Sequence, residues 1–136
     1  LLRLGKLTGR SDYLEAARSA LEAAVGVMRQ SPTAAGQMLC AADMFFGPTK
    51  EIAILGASDQ DVSKVASDLH RHFVPNRVVA ARTTGDRKGS THLDPIFQGK
   101  HTVDGSVGVF VCENFACQAP VTGTEQIDAM WKSLAN

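Results

Sequence analysis

The chain has 136 residues, 44% of them hydrophobic and 21% charged, the size and composition of a globular domain able to bury a core. Its 14 Lys plus Arg balance 14 Asp plus Glu, which removes the basic excess that a nucleic-acid footprint requires. Apolar runs such as Ile52–Leu55 are too short to cross a bilayer, no signal peptide is visible, and three cysteines cannot build a disulfide scaffold. Nucleic acid and membrane are thus not expected as partners, and a reducing cytoplasm is the expected compartment.

Leu1 to Gly9 reads as the tail of a helix with Gly9 as its C-terminal cap, its start expected upstream. Ser11 or Asp12 caps the next helix, expected over 12–30, where Leu14, Ala17, Leu21, Ala24, Val25 and Met28 recur at helical spacing. Ser31-Pro32 opens a third helix over 32–46, lined by Ala35, Met38, Leu39, Ala42, Phe45 and Phe46 and ended by Gly47-Pro48. Helices joined by short turns predict a hairpin array.

The period changes at Gly47-Pro48. Glu51 to Gly56 is a nearly continuous apolar run, as in a strand covered on both faces, expected over 51–55. Asp59 to Phe73 is amphipathic through Val62, Val65, Ala66, Leu69 and Phe73, and a second strand is expected over 77–81. Strand, helix and strand predict a right-handed βαβ unit with parallel strands. Residues 82–106 are polar and rich in turn formers, including Thr84-Gly85-Asp86 and Asp104-Gly105, with a helical turn around Pro95-Ile96-Phe97. A third strand comes next, over 107–111, its direction left open. Thr122 or Thr124 caps a last helix over 123–135, with Ile127, Met130, Trp131 and Leu134 on one face. The expected fold class is α/β: a helical hairpin segment, residues 1–47, then a small three-stranded unit, residues 48–136, ending in a helix.

Gly56-Ala57-Ser58-Asp59 lies where strand turns into helix, but it lacks the further glycines of a dinucleotide fingerprint and the Gly-Lys-Ser of a phosphate loop. An ordinary capped turn is expected there, and Gly99-Lys100 has no helix behind it. His70 and His72 stand about 200° apart around a helix, so they cannot share a metal as an i, i+4 pair can. For Cys112 and Cys117 a zinc site would need two more ligands, with Cys40, His92 and His101 the recruits at hand, and an iron–sulfur cluster needs four cysteines. Neither metal nor cofactor is expected.

Closing Cys112 and Cys117 as a disulfide around Glu113-Asn114-Phe115-Ala116 makes them a candidate redox pair. The preferred reading is duller. Cys112 shares a strand face with Gly108 and Phe110 and is expected to be buried, reduced and unreactive. Phe115 and Ala116 would tuck the next turn against the same core and leave Cys117 near the surface. Glu113 has no identifiable partner for a general-base role, and no Ser–His–Asp arrangement stands out. Catalysis by this chain alone is not expected.

The segment Val111-Cys112-Glu113-Asn114-Phe115-Ala116-Cys117-Gln118-Ala119-Pro120 resembles the closing motif of the spermatogenesis-associated, thioredoxin-domain-containing protein family. Leu1 to Leu14, Phe46-Gly47-Pro48 and Phe73-Val74-Pro75-Asn76 extend the likeness along the chain. The resemblance implies a parent with an amino-terminal thioredoxin-like domain and an (α/α)₆ toroid like those of N-acylglucosamine 2-epimerases and six-hairpin glycosidases. This chain would hold the last toroid helices and the α/β tail. Cys112, Glu113, Asn114, Phe115, Cys117 and Gln118 match the motif, with no role assigned to them. The favoured role for this chain is that of a non-catalytic carboxyl-terminal accessory unit, packed against the remainder of its own polypeptide. The alternatives are thiol–disulfide exchange through Cys112 and Cys117, or a rim of a carbohydrate-active cavity in the full-length protein. Hairpin faces parted from their toroid neighbours are expected to make the isolated chain self-associate.

Overall fold

The computed structural model describes residues 1–85, 91–102, 104–114 and 116–135. It opens with α1 (Leu2–Thr8), α2 (Ser11–Gln30) and α3 (Gly36–Phe46). Gly9 ends α1 at φ 68°, the left-handed conformation that glycine adopts without a Cβ penalty. Neither Ser11 nor Asp12 caps α2. Arg10 is the cap residue, and its guanidinium reaches forward to the Asp12 carboxylate. The third helix starts later than Ser31-Pro32 predicts: the N–H groups of Ala34 and Ala35 bond back to Ser31 in a turn, and regular helix begins at Gly36.

β1 (Lys50–Gly56), α4 (Asp59–Leu69) and β2 (Arg77–Thr83) form the expected strand–helix–strand unit, with β1 and β2 parallel and Lys50 opposite Arg77. The Ser58 hydroxyl caps α4 by accepting from the Asp61 N–H. The helix stops at Leu69 rather than running to Phe73. Arg77 holds the next bend by donating to the carbonyls of His72 and Val74. Phe73 therefore leaves the stripe of Val62, Val65 and Leu69 and is 79% exposed.

Past a 3-10 turn (Thr91–Leu93) and the single-turn α5 (Asp94–Phe97), β3 (Gly108–Glu113) runs antiparallel to β1. Two further strands, β4 (Ala116–Cys117) and β5 (Val121–Thr122), pair antiparallel with β3 and enlarge the expected three-stranded sheet to five. The order is β2-β1-β3-β4, with β5 also beside β3. Pro120, which has no N–H to donate, falls in the break between the two short strands. The closing helix α6 (Thr124–Leu134) starts after Gly123 at φ 84°, and no threonine hydroxyl caps it.

The sheet is buried on both faces. Ile52, Ile54, Val109 and Val111 pack against Val62, Val65 and Leu69 of α4 and Ile127 and Trp131 of α6. On the other face Ala53, Leu55, Val78, Ala80 and Phe110 meet Leu2 of α1, Ile96 and Phe97 of α5, and Met44 of α3. Such two-sided cover is why β1 reads as a continuous apolar run, and Glu51 is its exception. α2 contrasts with it: of 20 residues it buries Ala17 and Leu21. Val25, Val27, Leu1, Leu4, Leu39, Phe45 and Phe46 stand exposed on and around the helical segment. Among the described residues no helix is long and apolar enough to cross a membrane.

Candidate functional site

Cys112 and Cys117 are direct cross-strand partners on β3 and β4, and their sulfurs are bonded in a disulfide. This corrects the expectation of two separate, reduced thiols. Asn114 at φ 49° opens the turn that folds β4 back onto β3, a left-handed position that asparagine tolerates better than most residues. Cys112 is buried, at 4% exposure, on the sheet face shared with Phe110, while Cys117 is exposed. Ala116 is exposed and does not tuck against the core, and Phe115 lies outside the described residues.

Across the sheet Cys112 faces Glu51 of β1, a carboxylate 3% exposed. Lys6 Nζ of α1 lies 3.3 Å from Glu51 Oε1 and donates to Asn114 Oδ1 at 3.3 Å. One ammonium thus ties α1 both to the central strand and to the cysteine hairpin. A cavity of about 220 Å³ joins Lys6, Glu51, Lys100, Cys112 and Cys117, with α5 as a further wall. Burial draws the Lys100 ammonium below its ordinary range, and the negative charge of Glu51 opposes that shift. The cavity thus sets two ammonium groups and one carboxylate beside a disulfide.

Glu113 belongs elsewhere. Alternation along β3 turns it to the face opposite Cys112, where its Oε2 meets Lys50 Nζ at 2.6 Å. Gln118 is exposed and bonds through its backbone N–H to the Val111 carbonyl. Cys40, on α3, is a free exposed thiol lining a separate groove among α1, α2 and α3. His92 and His101 are exposed, and among the described residues no three His, Cys, Asp or Glu side chains cluster as metal ligands. His70 Nδ1 faces Arg77 Nη2 at 3.4 Å, so the histidines of the α4 terminus belong to its bend. Periodicity missed Lys6, Glu51 and Lys100. Glu51 carries the one readable signal, an acid at the head of an apolar strand.

No family model matches the chain, and no solved structure does. It is similar to spermatogenesis-associated protein 20 of Homo sapiens, 27% identical over 123 residues, 90% of this chain and 16% of that protein. The protein of the same name from Rattus norvegicus is 28% identical over the same length, and that from Mus musculus 27%. The chain thus spans about 16% of the length of the curated relatives it matches, and it is similar to a part of a much longer protein.

Proposed function

We propose that this chain is a non-catalytic accessory unit, the carboxyl-terminal part of a larger polypeptide, with residues 1–47 completing a helical hairpin array and residues 48–136 forming an α/β tail. The observation that carries this reading is the thin cover of the helical segment. α2 buries two of its 20 residues, and seven large apolar side chains stand exposed nearby. Apolar patches of a few hundred Å² usually meet a partner, and the greater length of the relatives offers one within the same polypeptide. Cys40 reports on this directly, because it lines the groove among these helices. Alkylation of Cys40 is expected to be fast in the isolated chain at low concentration, where it is monomeric, and at least about tenfold slower once the remaining polypeptide covers the groove. Equal rates in both would overturn the reading. The isolated chain is also expected to self-associate with rising concentration in sedimentation experiments.

A second reading, thiol–disulfide exchange at Cys112 and Cys117, is favoured by the bond itself. In a reducing cytoplasm such bonds are usually transient, catalytic or redox-sensing. The thioredoxin-like domain implied by the family resemblance would supply the partner dithiol. Redox titration with mass spectrometry is expected to find the bond opening and closing reversibly near a cytosolic poise of about −220 to −320 mV. A bond that stays closed throughout that range is structural.

A further inference from the structure

We propose that the cavity under the hairpin is a leaving-group site: an external dithiol attacks exposed Cys117, and Cys112 departs as a thiolate held by Lys6 and Lys100. The proposal rests on the exchange reading and names the direction of attack and the groups that set it. A thiolate can reach only a sulfur open to solvent. Cys117 is exposed on a two-residue edge strand, whereas Cys112 is 4% exposed on a central one. The attacking thiolate forms a sulfur–sulfur bond to Cys117 Sγ, and the Cys112–Cys117 bond breaks with its electron pair on Cys112 Sγ. The second thiol of the dithiol loses its proton to solvent and attacks the mixed disulfide. Cys117 leaves, the dithiol is oxidised to its own disulfide, and the protein pair is reduced by two electrons. The protons taken up by the two protein thiolates come from solvent.

The direction of cleavage depends on where negative charge is tolerated. A thiolate in apolar surroundings is disfavoured, but Cys112 borders a polar cavity in which two ammonium groups outnumber one carboxylate. Glu51 is a positioning residue. It stands opposite Cys112 in the sheet register and holds the Lys6 ammonium at 3.3 Å. A lower thiol pKa also makes the better leaving group, so the same charges that stabilise Cys112 as a thiolate favour attack at Cys117.

The test uses this chain with mass spectrometry resolving the adduct on each cysteine, and Cys40, a free exposed thiol, serves as the reference. With the disulfide formed, glutathione at low concentration is expected to leave its adduct on Cys117, and an adduct on Cys112 overturns the proposal. In the reduced protein, Lys100→Gln is expected to move upward the pH midpoint of Cys112 thiolate formation, read from the NMR chemical shift of its isotope-labelled Cβ. On the acid side of the midpoint its thiolate population should fall about threefold or more, the effect of half a pKa unit. Glu51→Gln, which keeps an amide oxygen to accept from Lys6 but removes the negative charge, is expected to move the midpoint downward. Opposite shifts from two near-isosteric variants are not what general loosening of the fold produces. If Glu51→Gln does not fold, the less buried Lys100→Gln decides alone. An unmoved midpoint, with the bond still exchanging, overturns the leaving-group site and spares the exchange reading. A bond that no dithiol opens in the native protein removes both.

Discussion

Lys6 of α1 and Glu51 of β1 form an ion pair at 3.3 Å that is almost closed to water, with side chains 18% and 4% exposed. Removing the ammonium leaves a carboxylate in the interior, a far larger cost than the loss of a surface pair. Lys6→Met is therefore expected to destabilise the protein by about 3 kcal/mol, and the double variant with Glu51→Leu to recover most of it. Urea unfolding of the two single variants and the double variant measures the coupling.

The disulfide closes a small loop, so its contribution to stability is modest. In the chain-entropy account a loop of this size contributes about 2 kcal/mol, and Cys117→Ser should lower the urea midpoint accordingly. A much larger loss would mean that the hairpin shapes the sheet as well as closing its own loop.

Trp131 has no exposed surface and packs with Ile52, Ile54 and Val109. Trp131→Ala is expected to cost about 3–5 kcal/mol. Its indole Nε1 has no hydrogen-bond partner among the described residues. Trp131→Phe, which discards that N–H while keeping a ring in the core, should cost clearly less than alanine. Thermal unfolding of both variants gives the comparison.

Gly56 ends β1 where a Cβ would meet Val62 Cγ2 at 2.8 Å and Val107 Cγ2 at 2.9 Å. Both neighbours are β-branched and turn little about χ1. Gly56→Ala is therefore expected to destabilise by about 1–3 kcal/mol through overpacking, measured again by urea unfolding.

The hydrogen bond from Lys132 pulls the Asp128 carboxyl below its ordinary value of 3.8, helped by the charge of Lys132 and by His72. A folded-state value below the unfolded one means that the stabilisation is present above 3.8 and lost as pH falls through the folded-state value. Asp128→Asn should accordingly lower the urea midpoint near neutral pH, and the two curves should converge on acidification. The pair is exposed, so added salt should shrink the difference.

The period of the sequence carried the helices and the three long strands, because each has a run of regularly placed apolar residues, buried in the α/β unit and largely exposed on α2. It failed where other forces decide. Phe73 continues the α4 stripe on paper, but Arg77 takes the His72 and Val74 carbonyls and bends the chain away first. Strands of two residues, such as β4 and β5, are too short to carry an alternation. For the candidate site, alternation with Phe110 identified the burial of Cys112, but the bond to Cys117 depends on a tight turn at Asn114. Lys6 reaches Glu51 from α1 and Lys100 lines the same cavity from the loop after α5, a convergence that only the tertiary fold creates.

The strand order leaves β2 at one end of the sheet, so its outer backbone groups could serve as a template for the strand of another molecule. Several features make that pairing unfavourable. Arg3 of α1 already donates to the Arg77 carbonyl at 2.6 Å, occupying the first acceptor on that border. Farther along, Arg82 bonds Asp94 at 2.7 Å and lies over the Phe97 ring, 4.4 Å from its centre. A strand arriving from solvent would have to displace these guanidinium groups or bury them. The two arginines thus place fixed charge on the border strand, the kind of feature that discourages open-ended strand addition.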